Sequence, residues 1–114
     1  MTLDIVDKGA NDVIDIDSRD QHAQAGKIYI NANNNYARIG RGCVSDKDMH
    51  VVIESNCKFD IGEDVLLGMA NFYIGPGSLL RIGDRTGFTG LAHLNPVEAK
   101  AIEIGTDCSI ASGG

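Results

Sequence analysis

An Ile-Gly pair recurs along this chain at nearly constant spacing, and that recurrence limits what the chain can fold into. The pairs are Ile39-Gly40, Ile61-Gly62, Ile82-Gly83 and Ile104-Gly105, separated by 22, 21 and 22 residues. Self-similarity at a fixed period marks a stack of structural repeats. The alignment extends beyond the dipeptide. Four residues after each Ile stand Cys43, Val65, Thr86 and Cys108, all small or β-branched. Two residues before each stand Ala37, Phe59, Leu80 and Ile102, all apolar. The register reaches back to Ile14-Asp15-Ile16, with Ile16 another 23 residues before Ile39.

A second column runs out of phase with the first. It holds Ile28-Tyr29-Ile30, Val51-Val52-Ile53 and Phe72-Tyr73-Ile74, with small Cys57 and Ser78 four residues after the last two Ile. A third, thinner column contains Leu67, Phe88 and Ile110, each six residues after a first-column Ile. Apolar-x-apolar triplets are the signature of strands with one side buried. Three such columns per turn describe a coil with three flat faces. One coil cannot hide its apolar side alone, but stacking coils at ~4.8 Å places like columns on one another and pairs the strand backbones. The Gly after each Ile reads as a source of φ freedom at a corner. The small residue four positions after each Ile keeps the interior beside the corner from overfilling.

The predicted fold is all-β: a three-faced parallel β-helix with 21–23 residues per coil and roughly four to five coils. Residues 1–26 read as an N-terminal cap with a degraded first coil, and residues 27–114 as the repeat domain, ending in mid-coil. A β-sandwich suits the same Gly-rich, Ile/Val-rich composition but gives no reason for three columns to stay in register. Trp is absent and only three Phe and three Tyr occur, so a narrow aliphatic interior is expected.

The formal charge of −6, without any Lys/Arg run, argues against a nucleic-acid partner or an anionic membrane surface. No apolar stretch is long enough for a transmembrane helix, and the acidic N-terminus lacks a signal-peptide layout. A cytoplasmic location is the expectation. Three cysteines without a CxxC spacing argue against a disulfide framework or a zinc knuckle. Cys43, Cys57 and Cys108 all fall in small-residue slots and read as interior side chains.

The pattern [Ile/Leu/Val]-Gly-x-x-small-x, as in Ile61-Gly-Glu-Asp-Val-Leu and Ile82-Gly-Asp-Arg-Thr-Gly, resembles the hexapeptide-repeat acyltransferases. Their fold is a left-handed parallel β-helix, an exception to the usual crossover hand. The tail, Ala101-Ile-Glu-Ile-Gly-Thr-Asp-Cys-Ser-Ile-Ala-Ser-Gly, is similar to a rung of bacterial polysaccharide and sugar O-acetyltransferases. The resemblance covers roughly residues 28–114. It implies transfer of an acetyl group from acetyl-CoA, as co-substrate, to a hydroxyl of a sugar or polysaccharide precursor, with no metal. It further implies a general base, usually His, a donor for the oxyanion, and a homotrimer with active sites between protomers. The family's ideal coil has about 18 residues, so the longer coils here imply insertions at corners, and a right-handed helix stays open. In the family the catalytic His follows this rung in a segment of the Ser-Asp-x-His kind. The chain given ends at Gly114 before such a segment, and so reads as a catalytically silent N-terminal portion or a protomer completed by a neighbour.

Within these residues His93 is the candidate catalytic base, lying eleven residues after Ile82 in a segment that departs from the repeat and reads as a projecting loop. His50 has the same offset from Ile39, which places the two on one edge two coils apart, roughly 9.6 Å. That is too far for a shared metal ion, and both also read as plain edge residues. His22 lies in a polar segment and reads as solvated. No His-x4-His pair of the kind used by trimeric zinc carbonic anhydrases occurs. Ser109, Ser112 and Gly113 carry over from the family as neighbours of acetyl-CoA. Arg81, Arg85 and Lys100 are candidates for an anionic group such as a CoA phosphate, or ordinary surface charges. Glu63, Asp64, Asp84 and Asp107 read as solvated turn residues. The alternative function is a non-catalytic β-helix scaffold or carbohydrate-binding module.

Overall fold

A computed structural model of the chain describes residues 3–16, 25–89, 93–96 and 100–111. Their regular structure is entirely β, wound as a parallel solenoid of about four turns. The first face stacks β1 (Asp4–Asp7), β3 (Lys27–Ile30), β6 (His50–Ile53), β9 (Asn71–Ile74) and β12 (His93–Leu94). The second stacks β2 (Val13–Ile16), β4 (Tyr36–Ile39), β7 (Lys58–Ile61), β10 (Leu79–Ile82) and β13 (Ala101–Ile104). The third stacks β5 (Val44–Ser45), β8 (Leu66–Gly68), β11 (Gly87–Thr89) and β14 (Ser109–Ala111). The chain visits the faces in a fixed order, and every neighbouring pair of strands is parallel.

The register is the one the Ile-Gly period dictates. Ile16, Ile39, Ile61, Ile82 and Ile104 align strand to strand on the second face. Ile28, Val51, Phe72 and Leu94 align on the first. Alternation sends these side chains inward, where Ile39, Ile61, Ile82, Val51 and Phe72 are buried. The chain's three Phe side chains meet near the axis, each from a different face. Phe72 stands 6.1 Å from Phe59 and 5.9 Å from Phe88, centroid to centroid, in tilted and edge-on geometry. The first coil is already in register, since β1 pairs with β3 and β2 with β4.

The third face is irregular, as its thin column suggested. At the inward position matching Leu67, β5 carries Ser45, and the pairing of β5 with β8 shifts after Val44. Ser45 is buried yet satisfied: its Oγ accepts from Ala25 N–H at 2.9 Å and donates to Ala25 O at 2.7 Å.

The glycine of each Ile-Gly pair works differently from the sequence expectation. None of Gly40, Gly62, Gly83 and Gly105 has a positive φ. Gly40, Gly62 and Gly83 are small because successive corners nearly touch. A Cβ on Gly40 would lie 2.5 Å from Gly62 O, one on Gly62 would lie 2.8 Å from Asp84 N, and one on Gly83 would lie 2.7 Å from Gly105 C. The left-handed residue comes two positions later, at Gly42 (φ 79°), Asp64 (57°), Arg85 (59°) and Asp107 (55°). The corner between the first and second faces repeats the device at Asn11, Asn34, Asn56 and Gly77. Asn and Asp tolerate this region better than other side chains.

Coil-to-coil backbone hydrogen bonds continue through these corners. Asn34, Asn56 and Gly77 donate to Ala10 O, Asn33 O and Ser55 O at 3.1, 3.0 and 2.8 Å. Where the backbone falls short, side chains fill in. Asn35, buried in the corner slot, accepts from Cys57 N–H at 2.8 Å and donates to Ala32 O at 3.2 Å. Thr86 does the same at the next corner, donating to Gly105 O at 2.6 Å and accepting from Cys108 N–H at 3.3 Å.

Two substitutions test this account. Gly62→Ala should lower the stability by about 1–3 kcal/mol, because the stacked corners leave no room for a methyl group. Thermal unfolding followed by circular dichroism would register this as a lower melting temperature, and an unchanged one would mean the corners have slack. Ile61→Asp should unfold the chain by placing an unpaired charge in the stacked column, and a folded variant would refute the register.

Candidate functional site

His93 occupies β12, a short strand of the first face, and does not project on a loop as the sequence suggested. The period explains this: the same offset that puts His50 on β6 puts His93 on β12. Both align with Asn71, so they stand two strands apart on one outward column that begins Asp4, Lys27. His93 is exposed. Its neighbour along the column is an amide, and among the described residues no carboxylate hydrogen-bonds to its ring. The ring of Tyr29 meets His50 edge-on at 5.3 Å between centroids. Among the described residues no three His, Cys, Asp or Glu side chains cluster as a metal site.

Ser109 lies on β14 in the outward column Val44, Leu66, Gly87, Ser109 of the third face, and is exposed. Ser112, Gly113 and His22 lie outside the described residues. His93 and Ser109 therefore sit on different faces of the prism, and one chain does not bring them together.

The cysteines fill the slots the repeat assigns to them. Cys43 and Cys57 are buried, and Cys108 is half-buried. Cys43 Sγ lies 3.1 Å from Gly62 O, and Cys57 Sγ lies 3.1 Å from Gly75 O. Burial pushes the Cys57 thiol above its ordinary pKa, which keeps it protonated and unreactive near neutral pH.

Two of the three candidate cations for an anionic ligand are already engaged. Arg85 clasps Asp107 with two bonds of 2.7 and 3.0 Å, and that pairing holds the Asp107 carboxyl below its ordinary range. Arg81 lies 3.2 Å from Glu103 and 3.7 Å from Asp60. Arg38 also donates to Asp60, at 3.1 Å. These groups belong to one outward ladder of the second face: Asp15, Arg38, Asp60, Arg81, Glu103. The sign alternates at every step. Lys100 is exposed.

The repeat also builds a groove of about 800 Å³ along the corner between the first and second faces. One flank is the left-handed column Asn11, Asn34, Asn56, Gly77, and the other is the outward row Tyr36, Lys58, Leu79 at the start of the second face. Asp60 also lines the groove. The Lys58 ammonium sits 5.7 Å from the centroid of the Tyr36 ring. Sequence reasoning passed over this site because its residues come from four coils. The signal was nevertheless present, as Asn recurs immediately before the slot residue at 11, 34 and 56.

No protein-family model matches the chain, and no curated protein or solved structure is significantly similar to it. No helix among the described residues is long and apolar enough to cross a membrane.

The slot assignment makes a chemical prediction. Iodoacetamide at about pH 8 should alkylate Cys108 well ahead of Cys43 and Cys57, which should react only on unfolding. Peptide mass mapping over time would show the order. Equal labelling of Cys57 in the folded protein would mean that its slot is open to solvent.

Proposed function

We propose that this chain forms the β-solenoid of an acetyl-CoA-dependent O-acetyltransferase acting on a sugar or polysaccharide hydroxyl. The observation that carries the reading is the stacking of the Ile-Gly-x-x-small rungs, because the enzymes the sequence resembles are built from such rungs. The rung that most resembles theirs, Ile104-Gly105 to Ala111, continues the second and third faces through β13 and β14. In this reading the acceptor hydroxyl gives its proton to a histidine base as its oxygen bonds to the thioester carbonyl carbon. The C–S bond then breaks, and the CoA thiolate leaves and takes up the proton. Within this chain His93 is the candidate base, and Ser109, Ser112 and Gly113 are the candidate neighbours of acetyl-CoA. The separation of His93 and Ser109 onto different faces supports an active site shared between protomers of a homotrimer. Acetyl-CoA as donor also suits a cytoplasmic enzyme.

Binding of the donor is the direct test. Acetyl-CoA at a hundredfold excess over its Kd should stabilise the protein by about 2.7 kcal/mol, visible as a rise in melting temperature. Desulfo-CoA should act similarly. The absence of any shift, together with no transfer of labelled acetyl groups to sugar acceptors, would refute the reading. Where transfer is measured, His93→Ala should abolish it without lowering the melting temperature, since the side chain is exposed. Full activity of that variant would remove His93 as the base.

A further inference from the structure

We infer that the corner groove flanked by Asn34, Asn56, Tyr36 and Lys58 binds an oligosaccharide carrying an acidic sugar. The inference goes beyond acetyl transfer and stands or falls without it. Its first support is the chemistry of the walls. Asn11, Asn34 and Asn56 are exposed and stacked one per coil, at ~4.8 Å intervals. Each presents an amide donor and a carbonyl acceptor, the pairing that neighbouring ring hydroxyls satisfy. Across the groove stands half-buried Tyr36, whose ring carries the Lys58 ammonium against its face and a hydroxyl at its tip. A volume of about 800 Å³ falls in the range of small-molecule sites.

Charge narrows the ligand. Asp60 is matched by Arg38 and Arg81. The Lys58 ammonium, by contrast, rests only against the Tyr36 ring among the described residues. The groove therefore holds one uncommitted cation in a chain of net charge −6. A carboxylate is its natural partner. Peptide binding by strand addition needs unpaired backbone groups, and this corner offers few. The N–H groups of Asn34, Asn56 and Gly77 all donate to the preceding coil. The groove presents side chains, and that favours a glycan.

Positive φ at Asn34 and Asn56 supplies clean variants. Gly77 already occupies the next position of the same column, with φ 74°. Asn34→Gly and Asn56→Gly thus remove amide groups from a backbone that glycine accepts readily. The experiment is a titration of the isotope-labelled protein, observed by amide NMR, with trigalacturonate, sialyllactose and maltotriose. An acidic trisaccharide should shift the amides of Asn34, Asn56 and Lys58, and should bind more tightly than maltotriose. The double Asn→Gly variant should weaken binding about tenfold, equivalent to one or two lost hydrogen bonds, with its melting temperature retained. Lys58→Met should erase the preference for the acidic sugars. Three results would overturn the inference: no groove shift with any of the three sugars, undiminished binding by the Asn→Gly variant, or an acidic preference that survives Lys58→Met.

Discussion

Parallel backbone hydrogen bonds join each coil to the next and continue through the corners, from Asn34 N–H to Ala10 O and on to Asp107 N–H to Asp84 O. Everything else follows from that ladder. A coil whose strand amides bond to the coils on either side has no freedom to slide by one residue. A slip would turn every inward side chain to solvent. Like therefore stacks on like, and each position along the coil becomes a column with a single physical job. The core columns need apolar volumes that tile, which Ile39, Ile61 and Ile82 supply on one face and Ile30, Ile53 and Ile74 on another. Phe59, Phe72 and Phe88 fill the axis only because they come from different faces, so no two share a column.

The same stacking creates a problem for outward columns that carry charge. Two like charges at the ~4.8 Å spacing of strands repel by about 1 kcal/mol even in water. On the second face the ladder Asp15, Arg38, Asp60, Arg81, Glu103 turns this repulsion into attraction by alternating sign. Each exposed pair contributes little alone. Its more important effect is on register, since sliding a strand by one coil would set like charges together. The first face solves the problem otherwise, with Asn71 between His50 and His93. That amide keeps the two imidazoles from stacking directly.

The columns were legible in the sequence because burial imposes a period, and a period survives without any knowledge of hand or corner shape. Ile61 and Ile82 could be placed from spacing alone, and so could the slots of Cys43, Cys57 and Cys108. The corner chemistry was less legible. Gly62 looks the same in a sequence whether it supplies a positive φ or merely a missing Cβ. Its φ, which is not positive, and the approach of Asp84 N to the vacant Cβ position separate the two cases. Asn35 was hidden for a related reason. A buried amide in a column of Cys and Ser appears out of place until its bonds to Cys57 N–H and Ala32 O are seen. Ser45 likewise breaks an apolar column, and does so to hold both backbone groups of Ala25.

A solenoid of flat faces also decides where chemistry can arise within one chain. Side chains on a single outward column are held a fixed rise apart and point the same way, so they cannot converge on one reacting atom. His50 and His93 illustrate the point. Side chains on different faces, such as His93 and Ser109, point apart. Convergence is left to two places: any line where two protomers meet, and the corners, where the side chains of the turn and the first outward row of the next face flank one groove. The second is realised here by Asn34 and Asn56 opposite Tyr36 and Lys58. At such a corner a left-handed residue is obligatory, and glycine would satisfy the backbone at every turn, as it does at Gly77. Asparagine in three of the four positions adds side-chain amides that the fold itself does not need. That surplus makes the corner a binding surface as well as a bend.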